Sequence, residues 1–278
     1  MNIYNADGVN VHGKGIRPDI TLTYKRDKGN GCFYSLIIIP QTRTDGTKQY
    51  PFAMWPNYPN GGNKSAWEFN RDEDYKYYVV INGGTFRAPY GAGVTLSGLP
   101  TGTVIENGVV LSQGTASSDP EWMRNNSMVL TINDDGELGY ASFLTSADVL
   151  VSNGVVSAVT GFIPIVTNFV NADDVIEDEM PYMEGTGDGQ RQVLGQFGNG
   201  DYAIITSAGR GDQGGGWFTV REMQTLCKNL GLKEAFMLDS GGSVETVLGH
   251  KQINTIYDNQ YGRVMPTFIV FNGTTEFN

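Results

Sequence analysis

Residues 77–87 read Tyr77-Tyr78-Val79-Val80-Ile81-Asn82-Gly83-Gly84-Thr85-Phe86-Arg87, and residues 235–243 read Ala235-Phe236-Met237-Leu238-Asp239-Ser240-Gly241-Gly242-Ser243. Each begins as an apolar run of buried-strand type and ends on a hydrogen-bonding side chain followed by glycines. Asn82 and Asp239 therefore sit at strand tips. The glycines after them admit backbone conformations that turn N–H groups toward an anion. A tip amide, a tip carboxylate and two glycine loops together suit a phosphorylated ligand. Taken singly, either polar residue reads equally well as an Asx turn bonded to its own backbone.

Around these two stretches, strand signals dominate, at about 20–24, 33–39, 127–132, 201–206 and 266–271. Asn107-Gly108, Asp135-Gly136, Asn153-Gly154 and Asn199-Gly200 each read as the corner of a β-hairpin, because a type I′ turn needs positive φ at both central residues. One helix is well signalled, from about Thr219 to Leu230. Thr219 with Glu222 forms a capping box, Gly231 stops the helix, and Val220, Met223, Cys227 and Leu230 share one face. A shorter helix is expected near Glu121–Asn125. Residues 40–75, with Pro40, Pro51, Pro56 and Pro59 among scattered aromatics, read as a long irregular insertion or flap. The expected fold is α+β: a β-rich single domain with several hairpins and one clear helix. Residues 1–76 supply N-terminal strands and the insertion, and 77–271 the core, in one compact unit.

Composition narrows the chemistry. A net charge of −11 disfavours a basic groove for a nucleic-acid backbone, though a few arginines can still make a local anion pocket. Only His12 and His250 supply imidazole, and Cys32 and Cys227 are too few for a disulfide framework or a zinc site. Cys227 is expected to be a buried thiol. The stretch 171–190 is rich in acid; its plain reading is a solvated loop, and calcium is the cation it would suit, although it lacks the alternating spacing of a calcium loop. No cofactor is required by the sequence. The start Met1-Asn2-Ile3-Tyr4 lacks the basic and apolar pattern of a secretory signal, and no run reaches the ~18 apolar residues of a membrane span. No membrane partner is expected, and the location implied is cytoplasmic or virion-associated. Nothing in the sequence points to an oligomeric state.

The order of motifs adds a resemblance. Ile81 to Arg87 is similar to an Asn-Gly-Gly-Phe-Phe signature, with Thr85 where Phe is usual. Arg191-Gln192-Val193-Leu194-Gly195 resembles an Arg-Thr-Ala-Ile-Gly strand, followed by a second strand ending Ala208-Gly209-Arg210. Phe218 to Leu230 resembles a helix with Glu in its first turn. Leu238 to Ser243 resembles Leu-Asp-Gly-Gly-Gly-Ser, with Ser240 inside the glycine run, and Arg263-Val264-Met265-Pro266 is similar to an Arg-Pro-Val-Pro segment. These blocks, spanning about 77–271, resemble the phosphodiester glycosidases, a family that includes an enzyme acting on N-acetylglucosamine-1-phosphodiesters.

That resemblance implies hydrolysis of the glycosidic bond of a sugar-1-phosphodiester. Asp239 is then the first candidate for the carboxylate at the anomeric carbon and Glu222 the second, with its capping role as the rival reading; Asn82 joins them as a catalytic candidate. Arg87, Arg191, Arg210 and Arg263 are candidates to hold the phosphate, because a guanidinium fork gives two donors to one anion. Gly83, Gly84, Thr85, Gly241, Gly242 and Ser243 are the expected lining. If the second glycine motif needs positive φ at Ser240, that would cost about 1 kcal/mol. The expected partner is a phosphorylated glycan, for example a teichoic acid reached by a bacteriophage tail protein. The alternative is a glycan-binding module of a phage tail or cell-surface assembly, without catalysis.

Overall fold

The computed structural model describes residues 22–29, 31–89, 93–114, 121, 127–175, 189–208, 218–254 and 262–272. Within them, three antiparallel sheets form the framework of the fold. The first is built on β2 (Cys32–Ile39), β12 (Gln192–Phe197), β13 (Tyr202–Ser207) and β14 (Leu232–Met237), with β1 (Thr23–Gly29) at one edge and β10 (Pro164–Thr167) and β11 (Val170–Asn171) at the other, in the order β1-β2-β13-β12-β14-β10-β11. The second has the order β16-β15-β4-β17-β3. Its strands are β3 (Phe52–Met54), β4 (Tyr77–Asn82), β15 (Thr246–Leu248), β16 (Lys251–Gln252) and β17 (Phe268–Asn272). The third, β6-β5-β9-β7-β8, comprises β5 (Val104–Glu106), β6 (Val109–Ser112), β7 (Met128–Asn133), β8 (Leu138–Ser142) and β9 (Val155–Thr160).

Side-chain alternation sorts these sheets into layers, because successive strand residues face opposite sides. From the first sheet, Ile37, Leu194, Ile204 and Phe236 enter one core with Tyr78, Ile81, Ile269 and Phe271 of the second and Leu130, Ile132 and Val159 of the third. The alternate residues Leu36, Val193, Ala203, Ile205 and Met237 face outward, where Val220, Met223 and Cys227 of helix α3 (Val220–Asn229) cover them. The outer face of the second sheet, with Tyr77, Val80 and Phe268, is covered by Ala66 and Phe69 of α1 (Ala66–Asp72). Phe69 stacks on Tyr77 and Phe268, with centroids 5.4 and 5.0 Å apart. Helix α2 (Ala147–Ser152) does the same for the third sheet through Ala147 and Leu150.

The α3 expectation holds in detail: Thr219 Oγ1 accepts from the Glu222 N–H (3.2 Å), Glu222 accepts from the Thr219 N–H (2.8 Å), and Gly231 follows at φ +80°. Cys227 is buried, and burial pushes its thiol pKa up. Two expectations are corrected. Residues 40–75 are not a flap: β3 pairs with β17, and α1 closes a core layer with its own Ser65–Glu68 capping box. Asn153-Gly154 is not a hairpin corner but the C-terminal stop of α2, with Asn153 at φ −91° and Gly154 at +88°. The other three corners do join paired strands, and Asn107-Gly108 has positive φ at both residues. Apart from Glu121, the short helix expected near 121–125 lies outside the described residues, as do most of the acidic stretch, His12 and Arg210.

Candidate active site

β14 lies between β12 and β10 in the first sheet, and β4 between β15 and β17 in the second. Their C-terminal tips meet. Asn82 is fully buried, and its Nδ2 donates to the Asp239 carbonyl at 2.9 Å. The Asn82 Oδ1 accepts from the Glu245 N–H (3.2 Å), and its own N–H donates to the Glu245 carbonyl (3.1 Å). One amide thus staples the two tips together, which brings the two motifs to one place.

The glycines after Asn82 do a different job from the one expected. A side chain on Gly83 would press on Thr267, and a Cβ on Gly84 would stand 2.0 Å from the Thr160 carbonyl oxygen. The N–H groups of Gly83, Gly84 and Thr85 donate to Thr267 O, Thr267 Oγ1 and Thr160 O. These N–H groups are therefore spent inside the protein, and close backbone packing is what requires glycine here. Thr85 is buried with its hydroxyl 2.5 Å from that of Thr101. The segment acts as a support that sets Asn82.

At the second tip the positive φ falls on Gly241 (+66°), with Gly241–Ser243 forming one 3-10 turn. Ser240 is extended at φ −129°, ψ −175°, so its Cβ carries no strain. Asp239 Oδ1 accepts from the Ser240 N–H at 2.9 Å, the carboxylate is also hydrogen-bonded by Ser243, and the Ser243 hydroxyl accepts from Arg263 Nη1 at 3.0 Å. Burial outweighs these bonds and the Arg263 charge, and pushes the Asp239 pKa up to about 6. A half-buried acid whose pKa burial raises, and which Ser243 and Arg263 orient, can act as a base or stabilise a developing cation.

The arginines separate. Among the described arginines, Arg263 is the one whose charge acts on Asp239. Arg191 is buried at the start of β12; its Nε donates to the Phe218 carbonyl at 3.3 Å, just ahead of α3, and burial lowers its pKa. Its Nη2 is buried with no hydrogen-bond partner among the described residues. Arg87 lies in the turn beyond Thr85, its N–H donating to Leu99 O. Glu222 is held in the capping box at the same end of α3 that Arg191 reaches.

Sequence reading missed a second carboxyl and a polar seam. Glu245 is 1% exposed and accepts from the Ala66 N–H (2.8 Å) at the start of α1; burial pushes its pKa up to about 8. A lone acid in the apolar run Val244-Glu245-Thr246-Val247-Leu248 was the available signal. Beside it, Thr246 Oγ1 donates to Gln192 Oε1 (3.0 Å) and shares a 2.7 Å bond with Thr206 Oγ1, tying β15 to β12 and β13. Asn254 adds to the seam, bonding Gln190 Oε1 and the Val244 carbonyl. Among the described residues, no group of three or more His, Cys, Asp or Glu is placed to hold a metal ion, and no helix is long and apolar enough to cross a membrane.

Stapled strand tips, with a raised-pKa carboxyl beside an arginine, form a candidate site at the junction of antiparallel sheets in a β-rich fold. The chain belongs to the phosphodiester glycosidase family, whose model matches residues 75–272. Its fold is similar to that of the zebrafish N-acetylglucosamine-1-phosphodiester alpha-N-acetylglucosaminidase catalytic domain auto-inhibited by its pro-peptide: TM-score 0.66, 14% identity, 92% of this chain and 84% of that one. It is also similar to a hypothetical protein from Synechocystis, with TM-score 0.60, 12% identity, and 92% and 64% of the two chains. A curated relative, the SPbeta prophage-derived uncharacterized protein YomE of Bacillus subtilis, is 38% identical over 80 residues, which is 29% of this chain and 12% of that protein.

Proposed function

We propose that this protein hydrolyses the glycosidic bond of a sugar-1-phosphodiester, with Asp239 as the carboxylate at the anomeric carbon. The observation that carries the reading is Asp239 itself, whose pKa is pushed up to about 6 while Ser243 and Arg263 hold its orientation. Phosphate is a good leaving group and needs little protonation, so one carboxylate that activates water or stabilises the oxocarbenium ion meets the main chemical demand. Arg263 and the unpartnered Nη2 of Arg191 supply charge and donors for the phosphate. Arg87 and Arg210 remain further phosphate ligands on the family resemblance, and Gly241, Gly242 and Ser243 the lining beside them. Asn82 positions Asp239 through its carbonyl, and Glu222 serves the helix cap. The prophage-derived relative supports a phage setting, in which the substrate is a phosphate-linked glycan of the host surface such as a teichoic acid.

The test is Asp239→Asn assayed on a UDP-linked sugar, whose sugar-1-phosphate bond any member of this substrate class shares. A fall of about 10²–10⁴ in kcat is expected. Undiminished turnover removes Asp239 from the mechanism.

A further inference from the structure

β14 has two ends, and the site above uses only one. At its start, Lys233 faces a cleft of about 190 Å³ whose wall also includes Gln41, Lys48, Asp135, Glu137 and Asn199. Roughly six residues at ~3.3 Å each put this cleft about 20 Å from Asp239 along the strand. It is far larger than the ~10–15 Å³ that one water requires. Two lysines face two carboxylates, with Lys233 Nζ 3.6 Å from Glu137, so the lining is neutral overall and rich in paired donors and acceptors. Such a lining suits hydroxyl groups, which both give and take hydrogen bonds, better than a charged ligand.

An unusual turn stands beside it. β10 and β11 are joined by Asn168-Phe169, both at positive φ (46° and 63°), with Thr167 paired to Val170. That is a type I′ corner, where glycine belongs at the second position and a phenylalanine is strained. Phe169 is 45% exposed, and its ring lies against Gly198, which forms part of the cleft wall; a Cβ there would meet the ring at 2.8 Å. The turn is fixed by the Phe169 N–H to Lys233 O (2.9 Å), the Asn168 N–H to Glu234 (3.1 Å), and Lys228 to the Phe169 carbonyl. An aromatic kept exposed at a cost in backbone strain points to use of the ring. Its face offers an apolar platform for the C–H side of a pyranose while the cleft takes the hydroxyls.

We infer that this cleft and the Phe169 ring form a second carbohydrate site, which binds a neutral sugar unit of a glycan about 20 Å from the hydrolytic site. The site holds the polymer rather than cutting it. Its link to catalysis rests on the proposed hydrolase function; sugar binding itself does not.

The test is ligand-observed NMR titration of the full chain with two neutral probes, an N-acetylglucosamine trisaccharide and maltotriose. Saturable binding of at least one is expected. It should weaken at least tenfold in Phe169→Gly and in Lys48→Ala and be unchanged in Asp239→Asn. The melting temperature of Phe169→Gly should not fall, because glycine relieves the turn, which separates lost recognition from lost folding. No binding of either probe, or binding indifferent to Phe169→Gly, overturns the site. Binding abolished by Asp239→Asn places the sugar at the strand tips and also overturns it. If Asp239→Asn keeps full activity while the cleft variants lose sugar, the hydrolase reading fails and the second site stands.

Discussion

Asp239 and Glu245 flank the Gly241-Gly242-Ser243 turn, and burial raises both carboxyls, yet their partners differ. Asp239 is bound by Ser243 and Ser240 and feels Arg263, whereas Glu245 accepts from backbone at the start of α1. If the ionised Asp239 does the work, kcat/KM should fall as pH drops through about 6. Glu245 carries a stability signature instead. Its folded-state pKa, about 8, lies above the ordinary value of 4.5, so the protonated form favours the fold. That contribution is whole below about 4.5 and is lost as pH rises to about 8. The melting temperature of Glu245→Gln relative to the natural protein should therefore climb between pH 5 and 8; a constant difference would show that Glu245 is already ionised when folded. Ser240 and Gly84 show what residue type alone conceals. The glycine-run position that looked strained is extended, and the glycine that looked free is wedged against a carbonyl.

Among the elements, α3 was the most legible, because a capping box, a periodic apolar face and a glycine stop all lie within one short stretch. Thr219→Ala should cost about 1 kcal/mol in urea unfolding. Glu222→Gln preserves the box, since glutamine also accepts from the N-cap N–H. Unchanged activity in that variant is expected; a large loss with intact stability would return Glu222 to the chemistry. β3 was not legible, and α1 was missed although Ser65-Ala66-Trp67-Glu68 carries capping-box spacing. Prolines and mixed aromatics hide the three-residue β3, and Phe69 reads as core only once its stacking on Tyr77 and Phe268 is seen. Asn153-Gly154 shows the same limit: a positive-φ glycine ends a helix as readily as it turns a hairpin, and the six residues of α2 are too few to show a clear period.

Over the whole molecule, the candidate site forms where two sheets meet at their strand tips, and polar groups hold that junction. The Gln192–Thr206–Thr246 seam is buried, so removing one hydroxyl leaves partners unsatisfied. Thr246→Val should destabilise by about 1–3 kcal/mol, measured by urea denaturation; a neutral result would mean the seam adds nothing to the sheet junction. Such pairings are long-range, and no local pattern announces them. What the sequence could carry was the pair of strand tips and the family order of the arginine, helix and glycine blocks, which agrees with the match over 75–272. If Asp239 at this junction cleaves a sugar–phosphate bond, its replacement must show in turnover. The most direct measurement is the turnover of a UDP-linked sugar by the natural protein and by Asp239→Asn, with circular dichroism to confirm folding. Sugar release by the first and a fall of about 10²–10⁴ in the second are expected; equal turnover by a folded Asp239→Asn protein would remove Asp239 from the chemistry.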